Sequence, residues 1–569
     1  MKRNTYLTML TVIVTGLISA VIFNGCGSSN KNEKTVKEFD DFIKTFEAKY
    51  IPLYKETTLA SWNANISGKD EDYKLSADKE FELNKMFSDK SDFEKLKKFK
   101  ESGAITDTLK SRELLLLYNA FLGNQIDTAK MKAMIDLESE IEKKFNVFRA
   151  EIGGKEYTDN QIEKILKKST NSDSLKEAWL ATKKAGVNVE KDVIKLVKLR
   201  NASAKELGYA NFHEMKLKLS EQDPKEIEKL FDELDSLTKD GFAKLKDEMD
   251  EYFAKHYKIK KADLMPWHYQ DRFFQEAPKI YDVDLDKYYK GKDLVKITED
   301  YYKGIGMDIS DLVKKSDLKE KKGKNQHAFC SDLDNEGDVR VLCNVVDNEY
   351  WMNTLMHEYG HAAYDKYIDR TLPFLLRDPA HTFTTEAIAE LFGRFASNPQ
   401  WLKDVGVIDD KVKKEIEENV NKNLRLQMIV FSRWSQVMYR FEKAMYENPD
   451  QDLNKLWWDL VEKYQLLKKP ADRNEPDWAS KIHIAAYPCY YHNYLLGELL
   501  ASQLHYYITK NILKSDDYVN QSYVGNAEVG TYLINKVFKP GAKYYWDDMI
   551  LKATGEKLTA KYYAKQFVK

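Results

Sequence analysis

The stretch Tyr350-Trp351-Met352-Asn353-Thr354-Leu355-Met356-His357-Glu358-Tyr359-Gly360-His361-Ala362-Ala363-Tyr364 decides how this chain is read. It holds no proline and is apolar around one polar triad, as a buried helix is. Residues four apart on a helix share a face, so His357 and His361 can offer two imidazoles to one metal ion. Glu358, beside the first histidine, is then placed to act as general base on a water held at that ion. Zinc in a catalytic site takes three protein ligands and keeps a further position open, so a third ligand is expected on a later helix. Glu386 lies 25 residues past His361, in Thr384-Thr385-Glu386-Ala387-Ile388-Ala389-Glu390-Leu391, and the interval contains Pro373 and Pro379, which let the chain turn back. Its neighbours Ala387, Ile388, Leu391 and Phe392 mark a buried helix, where an unpaired carboxylate would be costly. Glu390, one turn on, is placed to accept a hydrogen bond from a ligating imidazole. These features predict a one-zinc peptidase site.

The rest of the chain fits a large, mostly helical protein. Twelve prolines and 24 glycines in 569 residues are few against average usage of roughly 5% and 7%. Long runs rich in Lys, Glu, Leu and Ala, with Glu-to-Lys spacings of four, suit solvated helix faces. Aromatics at 12% and hydrophobics at 43% allow a substantial core and exclude a disordered chain. With 90 basic and 92 acidic residues and no basic stripe interleaved with aromatics, nucleic acid is not expected as a partner. Charge runs such as Lys319-Glu320-Lys321-Lys322 read as solvated loop.

At the N-terminus, Lys2 and Arg3 precede an apolar run over 6–23 that ends in Asn24-Gly25-Cys26-Gly27. This has the form of a bacterial lipoprotein signal peptide, residues 1–25, cleaved to leave Cys26 as the lipidated first residue. Residues 26–35 read as the tether and 36–569 as one helical peptidase domain, its catalytic core at about 260–510. A lone anchoring helix is the alternative, since about 18 residues can just span a bilayer. The lipoprotein reading places the protein in a bacterial cell envelope, exported and held to a membrane through Cys26. Cys330 and Cys343 are near enough in sequence to bridge, but Cys489 would be left over, so disulfides are not the scaffold.

Phe39, Phe42, Phe46 and Tyr50 begin an apolar stripe at helical spacing, and long helices continue through 195–207 and 224–257. The segment 319–326 reads as polar and flexible. Beyond it Asp338-Val339-Arg340-Val341-Leu342-Cys343-Asn344 alternates and is β-branched, predicting a short strand that feeds the motif helix. The fold class expected is mainly α: a large helical zincin-type peptidase with a deep central cleft and a small β-sheet beside the zinc helix.

The zinc motif followed by Glu386 at this spacing resembles the peptidyl-dipeptidase A family, to which angiotensin-converting enzyme belongs. Supporting stretches are Ser61-Trp62-Asn63-Ala64-Asn65-Ile66, Leu199-Arg200-Asn201 with Leu207-Gly208-Tyr209, His327-Ala328, Asp338-Val339-Arg340, and Lys481-Ile482-His483-Ile484 followed by Tyr491 and Tyr494. The resemblance is scattered from about 60 to about 505. It implies release of dipeptides from peptide C-termini, with His357, His361 and Glu386 holding zinc and Glu358 shuttling the proton. Tyr494 would hydrogen-bond the developing oxyanion. His483 and His327 would bind peptide carbonyls, and Ala328 would pair its backbone with an extended substrate. Lys481 and Tyr491, with Gln270, would grip the terminal carboxylate. Tyr490 is an alternative to Tyr491, because its spacing to Tyr494 is four rather than three. His268, His381, His492 and His505 read as structural.

Where the family's animal members carry chloride-binding arginines, this chain has Val461 and Asn493, so chloride is not expected to be required. Two other functions stay open at this level. One is an endo-oligopeptidase of the thimet or oligoendopeptidase F kind; the other is a catalytically inactive surface binding protein on a peptidase scaffold. Indifference to C-terminal amidation would mark the first, and absence of Glu358-dependent turnover the second.

Overall fold

The structure is a computed structural model that describes the backbone of residues 5–568 and the side chains of 31–568. Cys26 and the signal segment before it lie outside the described side chains. The chain is mainly α-helical, with two small two-stranded antiparallel sheets, Ala150–Ile152 with Lys155–Tyr157 and Phe329–Asp332 with Val339–Leu342. No helix among the described residues is long and apolar enough to cross a membrane.

Where the sequence reads as one unit from residue 36 on, the chain divides into two compact units. The first comprises residues up to 64, 69–125 and 371–376, and the second the remainder. The first has its own core, in which the expected stripe takes part: Phe39 and Phe46 are buried with Leu96, Phe99, Leu117 and Phe121, while Phe42 and Tyr50 pack against them half-buried. Stacked rings at helical spacing, such as Phe46 on Tyr50 with centroids 5.2 Å apart, join successive turns of the first helix.

The second unit carries the site on three helices, Glu349–Tyr367, Thr382–Gly393 and His492–Tyr507. Each of the first two starts at a side-chain cap that satisfies otherwise unpaired backbone donors. Asn348 Oδ1 accepts from the Trp351 N–H at 2.9 Å, and His381 Nδ1 accepts from the Phe383 N–H at 3.2 Å. Small residues let the helices approach closely. A Cβ added to Gly360 would lie 2.9 Å from the Ala389 Cα, and one on Gly497 would lie 3.2 Å from the Glu386 Cβ. Alanine at 360 is therefore expected to lower the unfolding midpoint in a thermal melt. It gains up to about 1 kcal/mol of helix propensity, but overpacking against backbone that cannot rotate away costs about 1–3 kcal/mol.

The predicted strand forms as Val339–Leu342, pairing with Phe329–Asp332 in the register Cys330 with Val341 and Ser331 with Arg340. That register leaves Cys330 opposite Val341 rather than Cys343, and Cys330, Cys343 and Cys489 are all free thiols. The run 319–326 differs in part from its solvated reading. Lys319–Lys322 are exposed, but Lys324 is buried, its ammonium donating to the backbone oxygens of Asp317, Lys319 and Cys343 and to the Asp317 carboxylate. A buried ammonium is tolerated where its three protons all find acceptors, and here it fastens the loop to the end of the strand.

Candidate metal centre and substrate cavity

One turn of the helix Glu349–Tyr367 brings His361 Nε2 to 3.2 Å from His357 Nε2. Glu386 Oε2, from the next helix, is 3.8 Å from each. Tetrahedral ligands about 2.0–2.2 Å from a zinc ion stand about 3.3–3.6 Å apart, so this triangle is close to the size zinc requires. It is the one group of His, Cys, Asp and Glu among the described residues with ligand atoms gathered closely enough to hold a metal ion. The electrostatics suit a cation at this position. Burial lowers the pKa of both imidazoles and so keeps their lone pairs free. Burial and the neighbouring Glu390 charge push the Glu386 carboxyl up to about 7, and burial with the Glu386 charge pushes Glu358 up to about 8. Acidic groups this crowded ionise readily only beside positive charge.

The supports of these ligands are only in part those the sequence predicts. Glu390 Oε1 comes to 3.8 Å from His357 Nδ1, which is near but too long for a hydrogen bond. His361 Nδ1 instead has Thr385 Oγ1 at 2.7 Å, a contact that turns its Nε2 toward Glu386. Thr385 had no signal of its own beyond standing next to Glu386. Glu358 accepts a hydrogen bond from the backbone N–H of Cys330, so the strand Phe329–Asp332 supports the carboxylate. That strand has one strand neighbour among the described residues. His327 and Ala328 immediately precede it, His327 exposed and Ala328 half-buried.

A cavity of about 780 Å³ is lined by His483, Tyr491, Tyr494, Glu390, Gln275 and others. Lys481 Nζ donates to Gln275 Oε1 at 2.6 Å and lies 5.4 Å from the centre of the Tyr491 ring. Burial lowers the Lys481 ammonium to about 8, against the pull of Asp271. The glutamine beside Lys481 is thus Gln275 and not Gln270. Gln270 sits in a left-handed turn at φ 62°, with its Oε1 accepting from the Lys279 N–H at 2.9 Å. Of the two tyrosines left open, Tyr491 is the one beside Lys481, and its hydroxyl accepts from Trp434 Nε1 at 2.8 Å. Tyr490 points the other way, its hydroxyl 3.5 Å from Thr382 Oγ1. Tyr494 packs between them, with ring centres 5.3 and 5.4 Å from Tyr490 and Tyr491. Burial, Tyr490 and the nearby Glu386 charge push its hydroxyl up to about 12, so it stays a proton donor. His483 Nδ1 is buried without a hydrogen-bond partner, and burial and Lys481 lower its pKa to about 4.

A family profile described as angiotensin-converting enzyme (Peptidase_M2) matches residues 33–567. The chain belongs to the angiotensin-converting-enzyme family of peptidases. It is 23% identical over 563 residues to an angiotensin-converting enzyme of Theromyzon tessulatum, covering 93% of this chain and 90% of that one. It is 24% identical over 454 residues to that of Haematobia irritans exigua, 72% of each chain. With that of Rattus norvegicus it shares 27% over 237 residues, 40% of this chain and 18% of the other. This is a zinc metallopeptidase family, and peptides are the substrates its members take. The mainly helical fold read from the sequence is the one observed. His268, His381, His492 and His505 all make hydrogen bonds within the fold. Of the positions expected to lack a chloride ligand, Val461 is buried and Asn493 accepts from Gln222 Nε2 at 2.7 Å.

Proposed function

We propose that the chain is a zinc-dependent peptidyl-dipeptidase that removes dipeptides from the C-termini of oligopeptides. The observation that carries this is the convergence of a half-buried ammonium, Lys481, with Gln275 and Tyr491, three residues before Tyr494 beside the metal-ligand triangle. Such a grip suits a free carboxylate and would fix the cut a set distance from the chain end.

His357, His361 and Glu386 would hold the ion. When bound, zinc supplies Lewis acidity, polarising the scissile carbonyl and acidifying water. Glu358, oriented by the Cys330 N–H, takes a proton from the attacking water on one carboxylate oxygen and delivers it to the departing amine. The Tyr494 hydroxyl donates to the carbonyl oxygen as negative charge develops there. His483, which lines the cavity, donates to a peptide carbonyl, with His327 as a second donor. The residues at 327–328 pair with substrate as an added strand. Trp434 occupies an acceptor lone pair of Tyr491, which leaves the Tyr491 hydrogen to donate to the substrate carboxylate beside Lys481.

Mass spectrometry of peptides incubated with the protein tests this reading. Stepwise loss of two residues from peptides with free C-termini is expected, largely abolished by amidation. Internal cuts indifferent to amidation would instead favour an endo-oligopeptidase. Activity is also expected to be nearly unchanged when acetate replaces chloride, since Val461 and Asn493 offer no guanidinium to an anion; a large drop would refute that.

A further inference from the structure

The turn that carries the substrate-facing residues is held from behind by two buried ionisable side chains. His483–Ala486 is a four-residue helix, followed by Tyr487-Pro488-Cys489-Tyr490-Tyr491 and then the helix that bears Tyr494. Within that link Cys489, not a glycine, adopts φ 57°, a left-handed conformation that a side chain disfavours. Its backbone N–H donates to Glu442 Oε1 at 2.7 Å. Glu442, on the helix Asp410–Glu447, is 3% exposed and makes no ion pair among the described residues. At the other end of the segment, Arg200 Nη2 donates to the Ala485 carbonyl at 2.7 Å, while Nη1 donates to Tyr446 Oη at 3.2 Å on that same helix. Trp434, which donates to Tyr491, lies eight residues before Glu442, about two turns away on the same side of the helix.

We infer that Glu442 and Arg200 are positioning residues that clasp the 485–489 segment, setting His483, Tyr491 and Tyr494 in register with the metal site. Burying a carboxylate for one backbone hydrogen bond is costly, and the placement gives a reason for it. The helix that orients Tyr491 through Trp434 also sets where the chain turns before it. Burial pushes the Glu442 carboxyl up to about 8, so glutamine, which keeps the accepting oxygen, is the close mimic.

This inference rests on the proposed function, and the test separates the two. Wild type is first assayed on free and amidated peptides, which decides the function reading alone. The variants are then assayed, zinc-loaded and full-length, on whichever peptide wild type cuts. Glu442→Gln is expected to match wild type. Glu442→Leu is expected to keep its zinc but lose about 10²-fold in kcat/KM, the cost of a displacement near 1 Å, with a raised KM. Glu442→Asp, one methylene short of Cys489, keeps the carboxylate for folding should the leucine variant fail, and is expected to show the same KM rise in smaller degree. A folded, zinc-loaded leucine or aspartate variant with wild-type kcat and KM would overturn the inference. So would a glutamine variant as impaired as leucine.

Discussion

Glu358→Gln is expected to lower turnover by about 10²–10⁴-fold, the range supplied by a positioned general acid–base, with fold and zinc content unchanged. Glutamine has the size of glutamate, and its amide oxygen can still accept the Cys330 N–H that orients the native carboxylate. What it lacks is an oxygen that can take a proton from water and return it to an amine. The substitution also removes one of three crowded acids, since Glu386 and Glu390 both raise the Glu358 pKa. The metal-free protein should therefore melt no lower than wild type. Dipeptide release and metal analysis on the same preparation check this. Retention of most activity would remove Glu358 from the reaction, and absence of turnover in wild type itself would leave a binding protein on a peptidase scaffold.

The second large effect concerns the metal. Glu386→Gln should reduce zinc affinity by more than the roughly 10–100-fold seen when outer-shell partners are lost, and bring turnover to background. Two imidazoles 3.2 Å apart remain, but a neutral amide replaces the carboxylate 3.8 Å from each. The isosteric exchange respects the close contact of Gly497 with the Glu386 Cβ, so loss of metal can be separated from loss of packing. Zinc content after dialysis, with turnover before and after chelation of wild type, measures it. Stoichiometric zinc in the variant would mean that residue 386 is not a ligand.

How much was legible beforehand follows from what each feature depends on. The motif helix and the Phe39–Tyr50 stripe are legible because each is a periodicity within one element, and Glu386 is legible because zinc requires a third ligand from a later helix. Tyr491 and Tyr494 were legible as a pair at spacing three, but the choice between Tyr490 and Tyr491 needed the direction of the helix face toward Lys481. The sequence points to Gln270 as the neighbour of Lys481, but a left-handed turn there sends its side chain back to the Lys279 N–H, and Gln275 stands beside Lys481 instead. Thr385 on His361, and Cys330 under Glu358, are contacts across elements that no spacing reports.

The amino-acid order alone determined a helical peptidase with two histidines one turn apart, a glutamate beside the first and a distant carboxylate, since those belong to local patterns and a ligand count chemistry imposes. Tertiary structure alone decided that Gln275 meets Lys481, that the chain divides into two units, and that Glu442 and Arg200 grip the turn behind the site. Those facts depend on which loop conformation lets buried polar groups find partners. That is settled among residues hundreds of positions apart and leaves no periodic trace.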